Sequence, residues 1–132
     1  KLIYNRGWFE SIVGHVFYYR DWDNPERQRQ DHCFRSALNS EAQGPAAHIC
    51  FHIMNLATRM LHERNLQVGI VNTVHDSMLA EIYNPKELMD VIATIEEART
   101  VAYEWVKSWF SVPLLLDYKA GESWGSLEDV EF

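Results

Sequence analysis

His75 and Asp76 sit side by side in the stretch Leu66 to Tyr83, LQVGIVNTVHDSMLAEIY, where two apolar runs flank a short polar bend. A carboxylate and an imidazole mounted together at a bend can form a metal-binding corner. Carboxylate oxygens are the natural ligands of Mg2+, and phosphoryl-transfer enzymes often hold two such ions about 4 Å apart, activating the attacking oxygen and stabilising the leaving one. One aspartate does not complete such a centre. Glu81 is five residues further along an extended strand, so at about 3.3 Å per residue it lies roughly 16 Å away and cannot share the ions. A second acidic ligand must come from elsewhere, and no other stretch presents an obvious one. The plain explanation of an aspartate at a turn is local hydrogen bonding. Against it stand the apolar flanks (Val68, Ile70, Val71, Val74, Met78, Leu79, Ile82), which predict a rigid mount, and a bend without Gly or Asn between Thr73 and Ser77.

The elements that must position this bend can be read outward from it. The bend itself predicts a β-hairpin. Asn84, Pro85 and Glu87 predict a capped helix start, and Leu88, Val91, Ile92, Ile95, Ala98, Ala102, Val106 and Trp109 mark the buried face of a helix running to about Phe110. Upstream, GWFESIVGHVFYY (7–19) reads as two extended segments around Gly14, followed by a loop to Pro25. Pro25 and Asn24 predict a helix carrying Cys33, Phe34, Ala37 and Leu38 on one face. Helical character is expected to lapse over Asn39 to Pro45, with a second helix from Pro45 to about Asn65. PLLLDYK reads as a further strand of the hairpin's sheet, and 125–132 as an acidic tail. The order predicts an α+β fold: an antiparallel sheet with the hairpin at its centre and helices packed on one face, as one unit over 1–132.

At 132 residues with five Trp and six Phe, the chain has ample material for a core. The net charge of −7 is uneven. Residues 1–66 hold eight Lys and Arg against seven Asp and Glu, whereas 67–132 hold four against twelve. A nucleic-acid-facing surface is therefore expected in the first half, with Arg20, Arg27, Arg29 and Arg35 as its cations, although an ordinary polar helix face would look similar. Cys33 and Cys50 read as reduced core thiols. His48 and His52, four apart, could pair on a metal, but share their stripe with Asn55 and Arg59 and read better as a solvated or partner-facing surface. Tyr103, Trp105 and Trp109 read as core or interface. No apolar run approaches a membrane span and the start lacks a signal-peptide pattern, so a cytoplasmic location is the expectation, with an organelle as the alternative. A chain beginning at Lys1 fits an excised fragment, a processed chain or a trimmed one.

Taken together, GWFESIVGHVFY, the spacing R-x-x-x-N-x-x-x-Q-G at Arg35, Asn39, Gln43 and Gly44, the hairpin VHDSMLAEI, and a long helix before VPLLLDYKAGESW resemble the C-terminal part of the palm of family A DNA polymerases. The resemblance runs from about Gly7 to Trp124 and implies a bacterial polymerase I-like or phage source. It implies that Asp76 is one of two metal-binding catalytic aspartates in a Mg2+-dependent nucleotidyl transfer, and that His75 sits by the primer terminus. It also implies that Arg35, Asn39 and Gln43 contact the template-primer duplex, where Asn and Gln amides suit the minor-groove acceptors shared by all base pairs. Arg35 and Asn39 are one helical turn apart, about 6 Å, so both can face one backbone. The family usually has Glu after His-Asp where this chain has Ser77, often has paired arginines where it has His15 and Val16, and has a small residue where it has Pro45. Neither the family's earlier aspartate motif nor its nucleotide-binding fingers helix is recognisable in the sequence. The expectation is a segment that needs the remaining polymerase, primer-template DNA and dNTP to act. The alternative is a non-catalytic DNA-binding or interaction module that keeps the palm fold. An HD-type phosphohydrolase fits less well, because those enzymes place His-Asp in helices.

Overall fold

A computed structural model describes residues 6–132. In chain order it contains β1 (Trp8–Glu10), β2 (Val16–Tyr18), α1 (Arg27–Glu63), β3 (Val68–Val74), β4 (Ser77–Ile82), a 3-10 turn (Pro85–Glu87), α2 (Leu88–Val106), β5 (Lys119–Ala120), a second 3-10 turn (Trp124–Ser126) and β6 (Glu128–Asp129). The strands pair antiparallel as three separate two-stranded sheets, β1-β2, β3-β4 and β5-β6. The α+β class holds, with small antiparallel sheets and helices. The residues fall into two compact units divided after Cys50.

In the first unit, β1 and β2 form a ribbon in which Phe9 pairs with Phe17, and the two rings stack with centroids 5.2 Å apart. Gly14, at φ 81, takes the left-handed conformation that the connecting turn requires. Asn24 accepts from the Glu26 amide at 2.9 Å, just ahead of α1. Cys33 and Ala37 are buried on the inner face of the helix, and both cysteines are free thiols.

The expected break at Asn39 to Pro45 does not occur: α1 is one helix of 37 residues with Pro45 inside it. A proline removes one main-chain bond and crowds the preceding turn, at a cost of about 3 kcal/mol. Ending the helix and restarting it would instead expose four carbonyls and four amides and require a second nucleation. The buried positions also run through the interruption, from Ala37 to Pro45 to Ile49, so the packed face favours continuity. Gly44 has a specific role there. A Cβ built on it would lie 2.7 Å from Cζ of Phe17, so the bare backbone lets the β2 ring approach the helix.

α1 closes with Asn65 in the left-handed region at φ 54. The Asn65 amide donates to the His62 carbonyl at 3.0 Å and the Leu66 amide to the Leu61 carbonyl at 3.1 Å, which together make a Schellman cap. In the second unit, the end of α1 and α2 lie antiparallel. Arg64 Nη1 donates to Thr94 Oγ1 at 2.8 Å, whereas the His52 ring meets Trp105 at 4.7 Å. Ile53, Leu56, Ala57 and Leu61 are buried on α1, and Val91, Ile92, Ile95, Ala98, Ala102 and Val106 on α2, close to the periodicity expected for that helix.

The stretch Pro113 to Tyr118 is not a strand of the hairpin's sheet. Its groups bond to α2 instead: the Leu114 carbonyl accepts from Arg99 Nη1 at 3.0 Å and the Tyr118 hydroxyl donates to Glu96 at 2.8 Å, while Arg99 Nε also donates to Glu96 at 2.6 Å. Burial, then the bond to Glu96, pushes the Tyr118 phenol above its usual range. The last residues fold back, with β6 pairing with β5 and the Val130 amide donating to the Tyr118 carbonyl at 2.9 Å.

Replacing Gly44 with Ala should lower stability by about 1–3 kcal/mol, because the new methyl displaces a packed aromatic ring. Urea unfolding of Gly44→Ala at or above wild-type stability would show that Phe17 yields without cost.

Candidate active site

The β3-β4 hairpin forms because runs of β-branched and apolar residues flank a bend short enough for a two-residue connection. Val68 pairs with Ile82 and Ile70 with Ala80 at its base, while Asn72 pairs with Leu79 and Val74 with Ser77 at its tip. The register changes by one residue between Ile70 and Asn72, leaving Val71 as a bulge. A bulge bends and twists the ribbon locally, so it helps set the direction in which the tip points.

His75 and Asp76 are the two connecting residues, both exposed. His75 has φ 56, a left-handed conformation that a residue with a side chain adopts at some energetic cost. Glycine would be the stable choice, so an imidazole is held at a position where its backbone is unfavourable. Ser77 Oγ donates to the Val74 carbonyl at 2.7 Å, closing the turn from the side where the family usually carries a glutamate. Glu81 pairs with Gly69 near the open end of the ribbon, away from the tip.

The apolar flanks do not bury the tip. Val71 and Val74 are 49% and 38% exposed, and Met78, Leu79 and Ile82 are half-buried. The mount is main-chain bonding within the ribbon, fixed at its base where the Gln67 amide donates to Glu87 Oε2 at 2.7 Å and the Tyr83 amide to the Gln67 carbonyl at 2.8 Å. Among the described residues, no group of three or more His, Cys, Asp or Glu side chains could hold a metal ion. The Asp76 carboxylate is an oxygen donor of the kind Mg2+ prefers.

Arg35, Asn39 and Gln43 lie on consecutive turns of α1 and are all exposed, on the side of the helix away from buried Cys33 and Ala37. Arg27 and Arg29 pair with Asp31 and Glu26 at 3.9 and 2.8 Å, whereas Arg35 makes no ion pair among the described residues. The charge available to an anion on this face is therefore narrower than the arginine count implies. The histidines sort differently from their sequence spacing: His48 meets His15, centroids 5.3 Å apart, and His52 meets Trp105. Sequence reasoning did not find the bulge at Val71 or the His15 contact, since both depend on which residue ends up opposite.

The chain matches the family model described as DNA polymerase family A over residues 2–126. It is 30% identical over 125 residues to a DNA polymerase I of Caldicellulosiruptor bescii, covering 94% of this chain and 14% of the relative. A DNA polymerase I of Mycobacterium bovis is 31% identical over 118 residues, covering 89% of this chain and 12% of the relative. The chain thus spans about one seventh or less of the curated relatives it matches. Among solved structures, the POL domain of Pol1 from M. smegmatis, in complex with DNA primer-template and dNTP, superposes with a TM-score of 0.69 at 27% identity, over 76% of this chain and 18% of that one. In the described residues, no helix is long and apolar enough to cross a membrane.

His75→Gly should relieve the left-handed strain and raise stability by about 1 kcal/mol, while removing the imidazole. A melting temperature equal to or below wild type would show that the His75 side chain repays its backbone cost through contacts of its own.

Proposed function

The chain belongs to DNA polymerase family A, and on that premise we propose that it is the C-terminal palm segment of a template-directed DNA polymerase. The observation that carries this reading is the His75-Asp76 pair, exposed at a two-residue turn of an antiparallel ribbon in a chain with that family match. When bound, a pair of Mg2+ ions would activate the primer 3′ oxygen and stabilise the leaving oxygen of the in-line displacement. Asp76 would supply one carboxylate to hold them. The remaining donors come from outside the described residues, in the part of the polymerase that carries the earlier aspartate motif and the dNTP-binding fingers.

The other named residues divide the work. His75 places an imidazole beside the primer terminus, where it can hydrogen-bond a sugar or phosphate oxygen. Arg35 neutralises a backbone phosphate, and Asn39 and Gln43 donate amide protons to minor-groove acceptors common to all four base pairs. Contacts of that kind respond to pairing geometry rather than sequence. The exposure of all three along one face of α1 supports the assignment. A bacterial or phage-infected cytoplasm is the setting that fits this activity.

Two measurements test this. Mixed with a segment carrying the missing motifs, the wild-type chain should extend a primer in Mg2+, and Asp76→Ala should reduce extension by more than about a hundredfold with assembly intact. Undiminished extension by Asp76→Ala would exclude the catalytic role and leave a DNA-binding module. In primer-template binding, Arg35→Ala should lower the slope of log affinity against log salt by about 0.9, whereas Asn39→Ala should weaken binding without changing the slope. An unchanged slope for Arg35→Ala would remove Arg35 from the phosphate contacts.

A further inference from the structure

We propose that His15 and His48 form a two-imidazole site for a divalent cation of the zinc class, distinct in its ligand chemistry from the carboxylate at the hairpin tip. Their ring centroids are 5.3 Å apart with planes tilted by 56°. Imidazole nitrogen binds Zn2+ at about 2.0–2.1 Å, and with about 1.1 Å from ring centre to nitrogen the metal stands about 3.2 Å from each centroid. Two such ligands at a tetrahedral angle have centroids about 5.2 Å apart, close to the separation present here.

The pair is positioned from both sides. The His15 amide donates to Ser11 Oγ at 3.1 Å, its carbonyl accepts from the Ser11 amide at 2.8 Å, and Ser11 is buried, so the turn between β1 and β2 is held at its base. The His15 ring lies edge-on to Phe17, centroids 4.6 Å apart, and Phe17 is the ring that approaches Gly44. His48 stands one turn after Gly44 on α1 and is half-buried. The missing Cβ at Gly44 thus brings the turn against the helix, and the two imidazoles meet as a result. The Glu10 carboxylate faces the same turn, with Oε1 3.8 Å from where a Cβ on Gly14 would stand. A bound ion would take water in its remaining positions and tie the β1-β2 turn to α1. Two nitrogen ligands select Zn2+, Co2+ or Ni2+ over Mg2+, which prefers oxygen.

The test is titration of the metal-free, untagged full chain with Zn2+ by calorimetry, alongside NMR of the histidine side chains. The expected result is one ion bound, with His15 and His48 ring resonances shifting first. Either His15→Ala or His48→Gln should weaken that binding at least tenfold, His32→Ala should leave it unchanged, and excess Mg2+ should not compete. His15 is exposed, so its substitution spares the core and decides the outcome should His48→Gln fail to fold. Zn2+ affinity unaltered in His15→Ala, or resonance shifts centred on other histidines, would overturn the proposal and leave the two rings as a packing contact.

Discussion

The placement of Asp76 depends on main-chain hydrogen bonding across a ribbon of two strands. No third strand joins β3 and β4 among the described residues, and neither face of the tip is fully buried, so hydrophobic packing contributes little there. What fixes the backbone of the tip is the sequence of pairs from Val68 and Ile82 up to Val74 and Ser77, the hydroxyl bond of Ser77 across the turn, and the left-handed His75 that lets two residues close it. Each of these is local and short-ranged. The bond between the Gln67 amide and Glu87 of the 3-10 turn secures the base of the ribbon, and the tip is left exposed.

That division of labour bears on the chemistry. If Asp76 holds metal ions beside a primer end as proposed, its carboxylate has to be accessible, and an exposed turn makes it so at the expense of the stability that burial would bring. On the proposed reading, the Asp76 carboxylate and the exposed row of Arg35, Asn39 and Gln43 would each contribute to a site completed by other parts of a polymerase. For a chain that spans a small fraction of its relatives, such partial sites are the expected form.

Much of this was legible in the sequence, and the failures share a cause. The hairpin, its His-Asp bend, the first ribbon around Gly14 and the buried face of α2 all follow from periodicity and turn chemistry, which act within a few residues. The break expected at Pro45 did not occur, because a local penalty was outweighed by a helix that packs on both sides of it. The stretch after Pro113 has strand-like composition, yet it is claimed by Arg99 and by the Tyr118 bond to Glu96, partners 15 and 22 residues away in sequence. The rigid apolar mount expected for the tip proved half-exposed for the same reason: alternation shows which residues share a face, and only the assembled fold shows whether anything covers it. His15 and His48, 33 positions apart, carry no joint signal at all.

The ribbon's isolation has a mechanical consequence. Two paired strands are the most easily twisted form of sheet, and the bulge at Val71 concentrates that twist midway between base and tip. Both outer edges carry main-chain donors and acceptors that belong to no ladder of the described residues. A strand added along either edge would stiffen the ribbon and fix its twist. The direction of the tip is therefore the ribbon's most compliant coordinate, and pairing along either edge would turn it.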